Sequence, residues 1–419
     1  MLSLVVMTST VQAENWPQWR GVHNDGVSAE KNLPTKWSKT EGVLWRTPLP
    51  GPAGATPVVF GERVFLTSVD KANGDLLLLC LGIDGQEQWR RKVSSGNKDV
   101  RGDEGNSASP SPVTDGEHVW TFMANGKLAC YTVTGDEVWQ LDVQDRYGKL
   151  SIAFGMTSTP VLDGDVLYLQ LIHGEGKAAT REAKVVALDK KTGHERWAVA
   201  RPSDATDECE HSYASPILYR DDQRAYLLSH GADYIVAHDL KDGHELWRCG
   251  DLNPKGKYER TLRFVASPVA VPGLIIVPSA KNYPVLALKP NGQGDLTEQP
   301  AAFAWRLESG TPDVPSPLIV GDYVYLCREN GNLVCLERAT GKKLYEKTTT
   351  RDRHRASPVY ADGHIYTAAR NGMMSVTKVG PEFEIVSQNN MEESISSSPV
   401  IANGRLYIRT FDALYCIGK

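Results

Sequence analysis

Eight Ser-Pro or Thr-Pro pairs, each followed by a hydrophobic residue, divide the chain into repeats, and this pattern restricts the possible folds more than any other feature. Successive prolines of these pairs are 41 to 56 residues apart. A recurring internal period of this length is typical of repeat architectures. The pairs are Thr56-Pro57, Ser111-Pro112, Thr159-Pro160, Ser215-Pro216, Ser267-Pro268, Ser316-Pro317, Ser357-Pro358 and Ser398-Pro399.

Each repeat has the same internal order. A short hydrophobic run follows the proline and meets a turn such as Asp115-Gly116 or Asn403-Gly404, whose residues tolerate the positive φ of a tight hairpin. An alternating run (DVLYLQL, YVYLCR), a third strand (KVVALD, NLVCLE) and a glycine turn come next, and a fourth strand ends the repeat. Four short antiparallel strands repeated eight times predict an all-β, eight-bladed β-propeller of four-stranded antiparallel blades.

The two ends of the chain predict how the ring closes. The eighth repeat stops at Lys419, after its third strand, and a fourth-strand phrase without a repeat of its own stands at Val43–Thr47. We therefore expect the N-terminal strand to be the outer strand of blade eight, which leaves neither end as a free sheet edge. The predicted organisation is a signal peptide at 1–13 and a single propeller at 14–419, with an extension at 14–42 and the closing strand at 43–50.

Large aromatic residues occupy one fixed place on the fourth strand. We expect them to be buried between neighbouring blades and to stabilise the ring rather than to form a ligand cage. Cys80, Cys130, Cys335 and Cys416 stand where sister repeats have alanine, so they are expected to be small buried spacers. The aromatic residues are Trp45, Trp89, Trp139, Trp197, Trp247 and Trp305, with Tyr345 in blade six.

The first thirteen residues, MLSLVVMTSTVQA, are apolar and end in the small-residue spacing of a signal-peptide cleavage site, although a basic start is missing. They predict export to the periplasm or beyond; a disordered leader or a buried strand stays open. The net charge of −5, with no basic stripe, argues against a nucleic-acid partner. No later stretch has the apolar length of a membrane helix, and a monomer is expected.

The phrase ALDKKTGHERW, Ala187 through Trp197, resembles the tryptophan-docking motif of the quinoprotein-type propellers, which include dehydrogenases that use pyrroloquinoline quinone (PQQ) and the outer-membrane assembly lipoprotein BamB. The opening WPQWRGVHNDGVS also resembles exported propellers common in planctomycete-type bacteria. The chain lacks the adjacent cysteine pair that the resemblance implies for the dehydrogenases, a haem-attachment motif, and a cysteine before Cys80 that could carry lipid. The histidines show no metal-ligand spacing, and no metal site is predicted. PQQ with calcium stays open, as does a bridge between Cys209 and Cys249.

The segments that lead into the eight inner strands are rich in charged residues, and in a propeller they converge at one mouth of the central channel, where we expect the ligand. Arg260, Arg263 and Arg355 are the candidates for an anionic group because a guanidinium binds carboxylate or phosphate bidentately. The full candidate set is Arg101, Asp103, Glu104, His211, Tyr213, Arg260, Arg263, Arg353, His354, Arg355, Glu392 and Glu393.

Three classes of function stay open at this point. The first, which the missing motifs favour, is an exported binding or scaffold module for a protein, peptide, glycan or small anionic ligand. The second is a PQQ-dependent dehydrogenase. The third is a polysaccharide hydrolase or lyase, although no paired acid and base can be assigned.

Overall fold

A computed structural model describes residues 14–100, 105–175 and 182–419 of the chain. In these residues the strands form eight antiparallel sheets whose inner strands lie side by side around a central axis. The prediction of an all-β, eight-bladed propeller is confirmed. No helix in the described ranges has the length and apolar character needed to cross a membrane.

Blades one to four begin after the closing N-terminal strand. Each inner strand is short because proline precedes it and a tight turn follows it. From inner to outer, the strands are Val58–Phe60, Arg63–Val69, Asp75–Gly82 and Glu87–Ser95; Val113–Thr114, His118–Phe122, Lys127–Thr132 and Glu137–Asp142; Val161–Asp163, Val166–Leu171, Lys184–Asp189 and Glu195–Ala200; Ile217–Arg220, Ala225–Gly231, Tyr234–Asp239 and Glu245–Cys249.

Blades five to eight follow the same order, and blade four gains a short parallel fifth strand, Gly294–Asp295. Among the described residues, one α-helix lies in a connection, Val143–Tyr147, as do the 3₁₀ turns Asp207–Glu210, Lys255–Lys257 and Pro300–Ala302. The strands are Val269–Val271, Leu274–Pro278, Val285–Leu288 and Phe303–Leu307; Leu318–Val320, Tyr323–Cys327, Asn332–Glu337 and Lys343–Thr348; Val359–Ala361, His364–Ala368, Met373–Lys378 and Ile385–Asn390; Val400–Ala402, Arg405–Arg409, Ala413–Ile417 and the N-terminal Val43–Pro48.

The N-terminal strand closes the ring as predicted, because Val43–Pro48 pairs antiparallel with Ala413–Ile417. A polar cluster fastens the closure. The Glu393 carboxylate accepts from the hydroxyl of Tyr415 at 2.7 Å and from Arg46 at 3.2 Å. Burial opposes ionisation of Glu393, but hydrogen bonds from Thr410, Tyr415 and Arg46 outweigh it and lower the pKa of this carboxyl group. Glu393 therefore ties blade eight together.

Each of the seven aromatic residues that the repeat places on the outer strands pairs across the sheet with a small residue of the third strand. Trp89 faces Cys80, Trp197 faces Ala187, and the same register recurs in seven blades. Only alanine or cysteine fills these third-strand positions, which leaves room for the wide ring. All four cysteines of this set are fully buried, so their interpretation as small spacers agrees with the structure.

Five of the outer-strand indoles also bond to the next blade. The Trp197 N–H donates to the carbonyl of Leu240 at 3.1 Å, and its ring covers Gly243 in the turn of blade four. Trp45, Trp89, Trp139 and Trp305 repeat this contact with blades one, two, three and six. The aromatic residues thus link consecutive blades.

The expectation that all these aromatic residues are buried is wrong for three of them. Trp45, Trp89 and Trp139 are half-buried, whereas Trp197, Trp247 and Trp305 are buried. The outer strand lies at the rim of the propeller. One edge of an aromatic side chain on this strand therefore meets solvent unless a long connection covers it. Trp247 is covered in this way because the strand Gly294–Asp295 pairs with its own strand.

The N-terminal extension crosses the face of the ring that carries the inner-strand turns. Trp16 exchanges two backbone hydrogen bonds with Val59 of blade one, each 2.8 Å long. The Pro17 carbonyl then accepts from blade two, and the Gln18 side chain accepts from Leu162 of blade three. Further along, Arg20 bonds to blade six and residues 26–28 bond to blade seven. The extension therefore spans the turn end of the central channel.

All seven cysteines are free thiols in the structure, Cys209 and Cys249 included. The Cys209 sulfur lies 3.0 Å from the carbonyl oxygen of Glu259 and accepts from Asn253 at 3.4 Å. Burial raises the pKa of the Cys209 thiol to about 11, as expected for an unreactive side chain. The bridge that the sequence left open is not formed.

Candidate functional site

The serine or threonine of each Ser/Thr-Pro pair belongs to a closed ring of hydrogen bonds around the axis, here called the hydroxyl ring. In every blade the backbone N–H of this residue donates to the hydroxyl oxygen of its counterpart in the next blade. The ring closes where Ser398 donates to Thr56. The eight bonds are 2.8–3.2 Å long, and the members are Thr56, Ser111, Thr159, Ser215, Ser267, Ser316, Ser357 and Ser398.

A central cavity of about 190 Å³ lies inside this ring. Within the described part of the chain, seven ring members line it, all except Ser316. Towards the turn face, Trp19 of the N-terminal extension contributes to the wall. Towards the opposite face, here called the funnel face, the charged and aromatic part of the lining consists of Phe154, Tyr213, Arg263, Asp313 and Arg355.

The N-terminal extension carries a buried positive charge next to the cavity residue Trp19. Arg20, next to Trp19, is 1% exposed and donates to the carbonyls of Pro317 at 2.7 Å and Asp25 at 2.8 Å. Burial lowers the pKa of Arg20 to about 10, although the Asp25 carboxylate favours its charge. Arg20 therefore stays protonated at neutral pH and fastens the extension to the inner strand of blade six.

The funnel side of the cavity has an aromatic wall with a guanidinium on it. The rings of Phe154 and Tyr213 are 5.9 Å apart, and the Arg263 guanidinium carbon lies 4.9 Å from the Phe154 ring centre. The Tyr213 hydroxyl accepts from the Phe154 N–H at 3.3 Å, and burial raises the pKa of Tyr213. Arg263 also bonds to Glu208 at 3.3 Å. These contacts fix the guanidinium at the mouth.

A second guanidinium, that of Arg355, lines the cavity from blade seven. Its side chain is 13% exposed and lies 3.4 Å from a carboxylate oxygen of Glu329. Asp313 also lines the cavity, and its carboxylate accepts a hydrogen bond from the backbone N–H of Lys281 at 3.2 Å. Of the described residues that line the cavity, Asp313 is the one carboxylate. The lining therefore combines hydroxyls, two cations and one anion.

The structure brings three of the predicted site residues together on the cavity wall, namely Tyr213, Arg263 and Arg355. Whether they contact a ligand stays a prediction. Arg101, Asp103 and Glu104 lie outside the described residues.

Six other candidates lie in the described residues but outside the cavity lining, because each bonds to a nearby group instead. Arg260 is exposed and makes a two-pronged bond to Asp207, and Arg353 bonds to Glu329. His211 bonds to the Gly174 carbonyl, and burial lowers its pKa. The other three are His354, buried against Asp352; Glu392, in an exposed turn; and Glu393, in the closure of blade eight.

Sequence reasoning missed the hydroxyl ring, Trp19, Phe154 and Asp313. The ring members were visible as the eight Ser/Thr-Pro pairs, but the pattern indicated only where strands begin. Trp19 stands in a segment without a repeat, so no periodicity places it on the axis. Phe154 belongs to the loop that precedes Thr159, and a search of such loops for aromatic residues as well as charges finds it.

Two places in the described residues offer oxygen or nitrogen ligands to a metal ion, namely a turn of blade four and the central cavity. Ligand atoms of Asp239, Asp242 and His244 lie within 4.8 Å of one another, but they belong to an exposed hairpin turn in which His244 bonds to Asp242. In the central cavity, calcium prefers six to eight oxygens that include several carboxylates. The described lining offers Asp313 alone, beside two guanidiniums. The donor set suits an anionic group better than a calcium ion.

The fold and the cavity define an eight-bladed β-propeller whose central cavity is covered from the turn face by an N-terminal extension. Residues 27–177 and 124–379 match the sequence profile of the family described as outer membrane protein assembly factor BamB, and the chain belongs to this family. No curated protein matches the chain significantly.

Solved structures agree on the fold. BamB from Moraxella catarrhalis superposes with a TM-score of 0.62 at 16% identity over 90% of this chain and 98% of that one. Quinohemoprotein alcohol dehydrogenase from Comamonas testosteroni has a TM-score of 0.54 at 15% identity over 97% and 81%. A europium-containing methanol dehydrogenase has a TM-score of 0.52 at 12% identity over 97% and 98%. At these identities the likeness extends to the fold alone.

Proposed function

We propose that this chain is an exported binding propeller, which takes up an anionic group of a ligand or partner protein through the funnel face of its central cavity. One observation carries the proposal: two guanidiniums, Arg263 and Arg355, line a cavity whose remaining polar wall is mostly neutral hydroxyls. Membership of the BamB family supports a binding role, and the apolar leader at 1–13 supports export.

The chemistry of the lining favours binding of an anion. A guanidinium presents donors in a planar fork that matches carboxylate and phosphate. Both arginines already have a carboxylate neighbour at 3.3–3.4 Å, Glu208 for Arg263 and Glu329 for Arg355. An incoming anion therefore shares the guanidiniums with these residues, which predicts modest affinity and reversible binding.

The same lining weakens the two enzymatic alternatives. Glycoside hydrolysis by the usual route needs two carboxyl groups across the bond to be cleaved. Among the described lining residues Asp313 is the sole carboxyl group, and a backbone N–H already binds it. The dehydrogenase alternative is tested by adding PQQ and calcium. A bound chromophore in a one-to-one ratio, with dye-linked alcohol oxidation, would replace the binding proposal.

The test of the binding proposal compares two double variants with equal change of charge. Arg263→Gln/Arg355→Gln alters the cavity, whereas Arg220→Gln/Arg260→Gln alters exposed arginines paired with Asp163 and Asp207. The full chain and both variants are used to capture ligands from the exported fraction, followed by mass spectrometry. We expect the cavity variant to lose ligands that the wild type and the control retain. Identical profiles for all three proteins would place binding elsewhere.

Export is tested separately. A tagged full-length chain expressed in a bacterial host should be recovered from the periplasm or the medium, cut near Ala13. Recovery of the uncut chain in the cytoplasm would contradict the proposed localisation.

A further inference from the structure

The hydroxyl ring is a ring of hydrogen donors as well as of acceptors. Each hydroxyl oxygen accepts one N–H from the neighbouring blade. A serine or threonine hydroxyl has one hydrogen to give in addition. In the described part of the chain, no protein acceptor takes the hydrogens of the eight ring hydroxyls. Seven of these hydroxyls belong to residues that line the cavity, so a group bound in the cavity can accept their hydrogens.

Two buried cations stand directly beside this ring. Arg409 of blade eight is 1% exposed and donates to the carbonyl of Ala55, the residue before ring member Thr56. In the described chain its Nε and Nη2 have no hydrogen-bond partner, and no carboxylate forms an ion pair with it. Arg20 donates to Pro317, the residue after ring member Ser316. The ring therefore lies in the positive field of two buried arginines, of which Arg20 is partly balanced by the Asp25 carboxylate.

We propose that the seven hydroxyls of the hydroxyl ring that line the central cavity, which exclude that of Ser316, form an oxyanion site that holds the terminal carboxylate or phosphate group of the ligand. This inference rests on the proposed function and deepens it, because it assigns the inner contacts to neutral donors rather than to the arginines. An oxyanion presents several acceptor lone pairs and no donor, which complements hydroxyl hydrogens that have no other acceptor.

The shape of the cavity explains why the group is a terminal one. The extension spans the turn end of the channel and Trp19 contributes to the wall there, so a chain that enters from the funnel face meets this segment. The volume of about 190 Å³ is below the roughly 300–1,000 Å³ of pockets that hold a whole drug-sized molecule. A carboxylate or phosphate with the next few atoms fits this space, while the rest of the ligand lies at the mouth beside Phe154 and Arg263.

The ring contains its own control for a test. Thr159 donates to Ser215 at 2.9 Å, and Ser267 donates to Ser316 at 2.9 Å, so Ser215→Ala and Ser316→Ala remove equivalent structural bonds. Ser215 lines the cavity, and Ser316 does not among the described residues. Sulfate, phosphate and acetate are titrated by calorimetry into the full-length wild type and both variants, at constant ionic strength.

We expect Ser215→Ala to bind sulfate about two- to tenfold more weakly than the wild type, as the loss of one neutral hydrogen bond implies. Ser316→Ala should bind sulfate like the wild type while losing as much thermal stability as Ser215→Ala. Thr159→Val provides a second variant of a lining hydroxyl if Ser215→Ala does not fold. Equal sulfate affinity in all folded proteins, or no sulfate binding by the wild type, would overturn the inference.

A further arm asks whether the group arrives free or at the end of a larger molecule. Short peptides with a free or an amidated C-terminus are compared with acetate. Tighter binding of the free-acid peptide than of acetate indicates a chain end, and equal binding indicates a free oxyanion; each result agrees with the ring as the site. If ligand capture depends on Arg263 and Arg355 but is unchanged in Ser215→Ala, the ring is not the binding site and the proposed function still holds.

Discussion

Replacing Trp197 by alanine tests the role of the outer-strand aromatic residues. Trp197 is 8% exposed, faces Ala187 across the sheet and lies 5.9 Å from the ring of Tyr168. Emptying a buried tryptophan site costs roughly 3–5 kcal/mol of unfolding free energy. That range includes the hydrogen bond from the indole to Leu240, which alone contributes about 0.5–1.5 kcal/mol. We therefore expect Trp197→Ala to lose about 3–5 kcal/mol.

Two matched variants separate the contributions. Trp197→Phe keeps most of the aromatic side chain and loses the N–H, so we expect the free energy of unfolding to fall by about 1–2 kcal/mol. Trp139→Ala removes an indole with the same kind of bond, to Lys190 at 3.0 Å, from a half-buried position, and should cost less than Trp197→Ala. Urea denaturation of the full chain, followed by circular dichroism, gives the free energies. Unchanged stability of Trp197→Ala together with lost ligand binding would make Trp197 a ligand contact and refute the structural role.

Four further perturbations test other contacts and charges of the propeller. Removing residues up to position 48 deletes the closing strand and the extension, and the product should aggregate or melt far below the full chain in scanning calorimetry; equal melting would contradict the closure. A Cβ at Gly243 would lie 2.5 Å from the Trp197 ring at a φ of +78°, so Gly243→Ala should destabilise the protein by more than the roughly 1 kcal/mol of backbone strain alone. Burial raises the pKa of the Asp233 carboxyl group to about 6. Because the folded protein holds this proton more tightly than the unfolded chain does, the free energy of unfolding falls as the pH rises from about 4 to 6. Asp233→Asn should therefore stabilise the protein at pH 7.5 but not at pH 4. Asp221, whose pKa a hydrogen bond from Tyr219 lowers, contributes stability above its unfolded pKa, so Asp221→Asn should be destabilising at pH 7.5; the same sign for both variants in thermal melts would refute this reasoning.

The repeat could be predicted from the sequence because its determinants are local. The Ser/Thr-Pro pairs, the hairpin turns and the small residue opposite each tryptophan are all short-range patterns, and they recur often enough to count the blades. The closing strand was predictable for the same reason, since Val43–Pro48 has the pattern of a fourth strand without a repeat of its own.

The site was less predictable because side chains of the loops contact partners that are distant from them in the sequence. Arg260 and Arg263 are three residues apart in the sequence. Arg260 donates to Asp207 on the surface, whereas the Arg263 guanidinium packs on the Phe154 ring at the cavity. Glu393 bonds to Tyr415 in the closure, although the sequence places it beside other funnel loops. The extension that spans the channel makes non-repeating contacts with at least five blades, and no periodic signal reports them.

If the cavity inside the hydroxyl ring receives an oxyanion, selenate should occupy it in crystals of the full chain, and anomalous diffraction from such crystals shows whether it does. Selenate has the shape and charge of sulfate, and its selenium atom can be located independently of the protein phases. We expect a strong anomalous peak inside the ring, within hydrogen-bond distance of lining hydroxyls such as Ser215 and on the funnel side of Trp19. Anomalous peaks confined to exposed arginines such as Arg220 and Arg260, with none in the cavity, would contradict it.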